Sequence, residues 1–169
     1  MHPNLILEDA DLDKTFETCV TSRLLNSGQS CIAAKRFVVV EAVCRQFEQM
    51  LVERMQAKRM GNPLDEAVEI GPQARFDLRD DLHRQVTQSI TKGAVCLLGG
   101  NIPEGTGTFY PATVLGNVGK GMPAYEEEIF GPVRRYQGKR LWERTLPLRS
   151  KGVCKYKNLI HSIDQNLIK

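Results

Sequence analysis

One short stretch of this 169-residue chain sets a sulfur where chemistry could use it: Asn26-Ser27-Gly28-Gln29-Ser30-Cys31 puts a cysteine just behind a glycine turn. A nucleophilic thiolate needs a partly exposed sulfur in an electropositive setting. Lys35 and Arg36 follow closely, and the backbone N–H groups of a following turn would favour the charged form. Spacing alone favours a simpler role, a small buried apolar cysteine, because free cysteine is among the most buried residue types. Glu126-Glu127-Glu128 reads by itself as a solvated acidic loop. His83 falls on the polar side of its helix and reads as solvated rather than catalytic. Gly99-Gly100 and Gly105-Thr106-Gly107 lack the strand–glycine–helix context of a phosphate cradle.

The elements that must position these residues alternate between helix and strand. Asp9 or Asp11 can cap a helix over residues 9–25, on which Leu12, Phe16, Cys19, Val20 and Leu24 recur at helical spacing. Gly28 suits the left-handed stop that follows. Arg36 to Val40 is a β-branched run suited to a buried parallel strand. A second helix is expected over 43–60, with Phe47, Leu51 and Met55 on one face, ended by Gly61-Asn62-Pro63. A third runs from Ala74 to Gly93, followed by a strand at 94–98, a glycine-rich loop and an extended stretch at 109–115. The class is α/β, with a mostly parallel sheet and flanking helices.

Composition narrows the function classes. No apolar run is long enough to span a membrane, and the first residues lack the basic and apolar regions of a signal peptide. The five cysteines are odd in number, irregularly spaced and without a C-x-x-C pair, and the three histidines are scattered. Reduced thiols in the cytoplasm fit this better than a disulfide framework or a metal site. Residues 134–169 hold ten Lys or Arg against two acids, a net of +8, whereas residues 1–133 hold 13 basic and 18 acidic residues, a net of −5. Periodicity fails at the same place. Two regions are expected: an ordered 1–133 and a basic tail, 134–169, that is irregular or the product of a shifted reading frame.

The order and separation of three segments resemble the catalytic domain of the aldehyde dehydrogenase superfamily. They are Leu5-Ile6-Leu7-Glu8-Asp9-Ala10-Asp11-Leu12-Asp13, Asn26 to Cys31, and Glu127-Glu128-Ile129-Phe130-Gly131-Pro132. The resemblance can be followed over residues 3–133. Gly71 to His83 and Ala33-Ala34-Lys35-Arg36-Phe37 are similar to the succinate-semialdehyde dehydrogenase branch.

The resemblance implies that Cys31 is the nucleophile, attacking an aldehyde carbon to give a thiohemiacetal, then a thioester once hydride has passed to NAD or NADP. It implies that the Cys31 backbone N–H forms half of an oxyanion hole. It further implies that Glu128 holds the ribose beside the nicotinamide and that Phe130 lines that ribose and ring. The family's general base, the oxyanion-hole asparagine and the dinucleotide-binding domain lie ahead of the matched stretch. The chain is therefore expected to be a partial catalytic domain, doubtful in cofactor binding and inactive alone. Its expected partners are a small aldehyde, a second copy of itself or a separately encoded domain, with no membrane. The alternative is an interaction or nucleic-acid-binding protein that uses the basic tail. Against it, Trp142, Tyr136 and Tyr156 do not interleave with the charges as a stacking surface would.

Overall fold

A computed structural model describes residues 4–34 and 36–139; for Arg36 and residues 137–139 it describes the backbone alone. These residues fall in one compact unit, Met1–Lys139. The rest of the tail, with Trp142, Cys154 and Tyr156, lies outside the described residues.

The chain runs β1 (Asn4–Ile6), α1 (Leu12–Leu24), a 3-10 turn (Leu25–Gly28), β2 (Arg36–Val40), α2 (Glu41–Gln56), α3 (Phe76–Thr91), β3 (Val95–Leu98), β4 (Thr113–Gly116), α4 (Pro123–Glu126) and β5 (Val133–Lys139). The strands form one sheet in the order β1-β2-β5-β4-β3. The pairs β1–β2, β2–β5 and β5–β4 are parallel, and β3–β4 is antiparallel. The expected α/β class with a mostly parallel sheet is what the chain forms.

Alternating side chains of the central strands feed two apolar clusters, one on each face. In the first, Phe16 of α1, Phe47, Leu51 and Met55 of α2, and Phe37 and Val39 of β2 pack with Val114 and Tyr136. Phe47 ties it together, with ring centroids 4.8 Å from Phe16 and 6.2 Å from Phe37. In the second, Leu82 and Val86 of α3 pack with Leu115, Val118, Ala124, Ile129 and Val133. The apolar positions expected on α1 and α2 are the ones that build the first cluster.

One difference from the sequence reading is large. The loss of pattern at Val133 suggested an irregular tail, yet β5 continues through residues 134–139 and occupies the centre of the sheet. Arg134 and Arg135 are buried there. Their charge masked a strand that backbone pairing on both sides imposes, with Phe37↔Tyr136 on β2 and Val114↔Arg134 on β4. A smaller difference is β1: its three residues are too few for periodicity to register.

Candidate functional site

Helix α1 delivers the chain to Cys31. Its N-terminus is capped by Asp11, whose side chain accepts from the Lys14 N–H at 3.2 Å, and Phe16, Cys19, Val20 and Leu24 anchor one face. Beyond Leu24 three successive residues take left-handed backbone: Asn26 (φ 50), Ser27 (φ 54) and Gly28 (φ 76). Such a run is strained for side-chain-bearing residues. Gly28 is required for a second reason, since a Cβ there would sit 2.1 Å from the Gly131 carbonyl oxygen.

Side-chain bonds to the 71–74 segment hold the turn. Ser27 Oγ accepts from the Gly71 N–H at 2.8 Å. Gln29 works both ends of its amide, donating to the Pro72 carbonyl at 3.2 Å and accepting from the Ala74 N–H at 2.9 Å. Farther on, the Ala34 N–H returns to the Ser22 carbonyl of α1 at 3.3 Å. Within this braced segment Cys31 is a free, exposed thiol. Spacing alone favoured a buried cysteine; that description belongs to Cys19 instead.

The second loop follows α4. Glu127 Oε2 accepts from Arg84 at 2.8 Å and from Gln85 at 2.9 Å, and the Arg84 and Gln85 bonds hold its carboxyl below the usual range. Gln85 also donates to the Glu128 carbonyl at 3.2 Å, and Glu126 accepts from the Gly121 N–H at 3.0 Å. The acidic run is thus a braced segment rather than a solvated loop, because α3 supplies donors that neighbours in sequence do not. Ile129 points into the second core, while Glu128 is exposed and Phe130 is 40% exposed.

These two loops adjoin. The Gly131 N–H donates to the Gly28 carbonyl at 3.1 Å. Arg23, buried in the last turn of α1, donates from Nη2 to the carbonyls of Ile129, at 3.3 Å, and Gly131. Burial first, then the charges of Arg134 and Arg135, push the Arg23 guanidinium down to about 9, while Glu128 acts in the opposite direction. Sequence reasoning passed over Arg23, Gln29 and Gln85. A signal existed for Arg23, which shares the buried face of α1 with Phe16, Cys19 and Val20, where a charged residue needs a reason.

The remaining candidates lie elsewhere in the fold. His83 is half-buried, its Nδ1 3.2 Å from the Tyr110 hydroxyl and the two rings 5.9 Å apart. It is therefore a packing residue and not a solvated one. Burial pushes the Cys96 and Cys44 thiols up, which disfavours their thiolates. Gly99, Gly100, Gly105 and Gly107 take positive φ between the antiparallel strands β3 and β4. Among the described residues no group of histidines, cysteines and acids could hold a metal ion, and no helix is long and apolar enough to cross a membrane.

Residues 1–136 match the aldehyde dehydrogenase family. The chain is 47% identical over 131 residues to a succinate semialdehyde dehydrogenase [NAD(P)+] of Escherichia coli (strain K12), covering 78% of this chain and 28% of that protein. It is 44% identical to the succinate-semialdehyde dehydrogenase [NADP(+)] of Mycobacterium avium (strain 104), with the same coverage of each. Among solved structures, a lactaldehyde dehydrogenase from Escherichia coli superposes with a TM-score of 0.80 at 34% identity, covering 86% of this chain and 31% of the other. A succinic semialdehyde dehydrogenase from Streptococcus pyogenes in complex with NADP+ gives 0.80 at 29% identity, covering 86% and 32%. The chain spans less than a third of the length of these relatives. It belongs to the aldehyde dehydrogenase family.

Proposed function

We propose that these residues are the nucleophile-bearing part of an NAD- or NADP-dependent aldehyde dehydrogenase that oxidises a small aldehyde such as succinate semialdehyde. The observation that carries the reading is an exposed Cys31 three residues beyond a left-handed turn whose backbone is hydrogen-bonded to the loop bearing Glu128 and Phe130. The names of the similar proteins support the substrate and cofactor class.

In this reading the Cys31 thiolate attacks the aldehyde carbon. A carbon–sulfur bond forms, and the carbonyl electron pair moves onto oxygen, where the Cys31 backbone N–H stabilises it. NAD or NADP, when bound, supplies the acceptor for the hydride lost by that carbon. Water then cleaves the resulting thioester, releasing the acid and returning the thiol. The residues fit the nicotinamide end of such a cofactor. The exposed Glu128 carboxylate can accept hydrogen bonds from ribose hydroxyls, and the half-exposed Phe130 ring offers an apolar face.

These 169 residues taken alone are proposed not to complete the reaction, since the match covers only 28% of the Escherichia coli relative and hydride transfer depends on a held cofactor. Cytoplasmic location is proposed with it, in keeping with the free thiols of Cys31, Cys44 and Cys96. The sequence beyond Val133 is proposed to come from a shifted reading frame.

Two measurements test the reading. Limited alkylation followed by peptide mass spectrometry should modify Cys31 before Cys44 and Cys96; equal or slower labelling of Cys31 removes it as the nucleophile. The purified chain with succinate semialdehyde should not reduce NAD or NADP, and reduction would overturn the proposed inactivity.

A further inference from the structure

We infer that Arg23 is a positioning residue, a buried fork that sets the Glu128–Phe130 loop against the Cys31 turn. The inference rests on the roles proposed above for Cys31, Glu128 and Phe130.

Three features point to it. First, Arg23 is fully buried at the end of α1, three residues before the left-handed run begins at Asn26 (only Leu24 and Leu25 intervene). Anything that shifts it shifts the turn leading to Cys31. Second, its Nη2 reaches the carbonyls of Ile129 and Gly131, which flank Phe130. Gripping the backbone on both sides of one residue fixes the direction in which that side chain leaves the loop. Third, the same loop returns the Gly131 N–H to Gly28, and the two backbones meet so closely there that Gly28 tolerates no Cβ. At Gly28 it would press on the Gly131 carbonyl, and at Gly131 it would lie 2.3 Å from Leu82 Cδ2. One guanidinium therefore spans a junction where two backbones touch.

A purely structural filler would not be an arginine. Taking a guanidinium out of water is expensive unless hydrogen bonds and opposite charge compensate it. Here Nε and Nη1 find no hydrogen-bond partner among the described residues, so compensation falls to the Nη2 bonds and to Glu128, whose charge favours the protonated form. Position 23 lies on the apolar stripe of α1, and a methionine could fill the volume with no such cost. What methionine cannot do is hold two carbonyls.

The test compares the full chain with Arg23→Met and Arg23→Lys. Amide hydrogen exchange is read at Gly131, whose N–H bonds to Gly28, and at the β2 amides as an internal standard. Arg23→Met should speed Gly131 exchange about tenfold relative to β2, the scale of roughly one lost hydrogen bond to a charged group. Arg23→Lys, which keeps the charge and one donor direction, should fall between. If Gly131 and β2 change together, or Gly131 does not change, Arg23 is only a core residue and the inference fails. Should Arg23→Met not fold, Arg23→Lys decides by the same ratio.

A second arm uses nicotinamide mononucleotide, which carries the ribose and ring without the rest of the cofactor. It should slow Cys31 alkylation in the natural chain and not in Arg23→Met. Lack of protection in the natural chain would sink the roles of Glu128 and Phe130, leaving the exchange ratio to decide the positioning of the loop independently.

Discussion

Strands β4 and β5 lie side by side, parallel and in register, yet their side chains follow different rules. On β4 Thr113, Val114 and Leu115 are buried and neutral; their partners on β5 are Val133, Arg134 and Arg135. The first pair, Thr113 and Val133, suits its surroundings on both strands. The next two pairs set a fully apolar side chain beside an arginine of similar burial. Arg134 enters the α1–α2 cluster, its guanidinium 4.0 Å from the Phe37 ring centroid and donating to the Cys19 carbonyl. Its Nε and Nη1 have no hydrogen-bond partner among the described residues. Burial pushes its pKa down to about 10. Arg135 enters the opposite cluster, donating to the Ala124 carbonyl and lying 5.6 Å from the Tyr125 ring centroid. The difference teaches that the sheet has a place for a central apolar strand and that this sequence fills it with charge. Along β4 local pattern and tertiary demand agree; along β5, from Arg134, they conflict.

The comparison can be broken or sharpened by substitution. Val114→Arg would give β4 the defect of β5, and it should cost about 3–5 kcal/mol, the scale of an uncompensated buried charge. Chemical denaturation would measure it, and a loss below about 1 kcal/mol would show that the site tolerates charge. The reverse change, Arg134→Met, which keeps most of the volume, should stabilise the chain by roughly 1–4 kcal/mol, read as a higher denaturation midpoint at unchanged slope. Destabilisation would mean that the arginine is bound in ways its geometry does not reveal.

A smaller effect is expected at Glu127, which belongs to the well-matched part of the chain. Its folded pKa is lowered, first by Arg84 and then by Gln85. The carboxylate therefore contributes stability above its unfolded pKa, and that contribution is lost as pH falls through the folded value. The natural chain should exceed Glu127→Gln in melting temperature at neutral pH, with the gap closing below the ordinary carboxylate range. Because the pair is solvent-exposed, the neutral-pH gap should be at most about 1 kcal/mol. A gap that widens on acidification would contradict the assigned partners. Finally, the nucleotide sequence across codons 131 to 140 should carry an apolar, β-branched strand in another frame. Absence of such a continuation in every frame would refute the frame-shift origin of Arg134 and Arg135.

The same contrast separates the elements that local sequence pattern marks from those that only tertiary packing defines. Arg36 to Val40 announced a strand because β-branched residues cluster there, and α2 and α3 announced themselves through apolar periodicity. Strand β5 did not, since Arg134 and Arg135 carry the signature of a solvated segment while the neighbours β2 and β4 impose burial. At the site, Cys31 and the Glu128–Phe130 loop were found through motif order. Their adjacency was not, because it depends on the Gly28–Gly131 bond between residues far apart in sequence. The half-burial of His83 is hidden for a similar reason: its ring lies against Tyr110, which no local pattern can show.

The place of β5 in the sheet also bears on synthesis. It is the last described strand to leave the ribosome and the one that joins the two halves, β1–β2 on one side and β4–β3 on the other. Until it arrives, β2 and β4 each present a bare edge, and neither half can shield the other. The growing chain must wait in that open form, where non-local pairing is slow and unpaired edges invite association with other nascent chains. The two arginines thus fall at the one segment whose insertion closes the sheet, so their burden acts on the timing of assembly as well as on its endpoint.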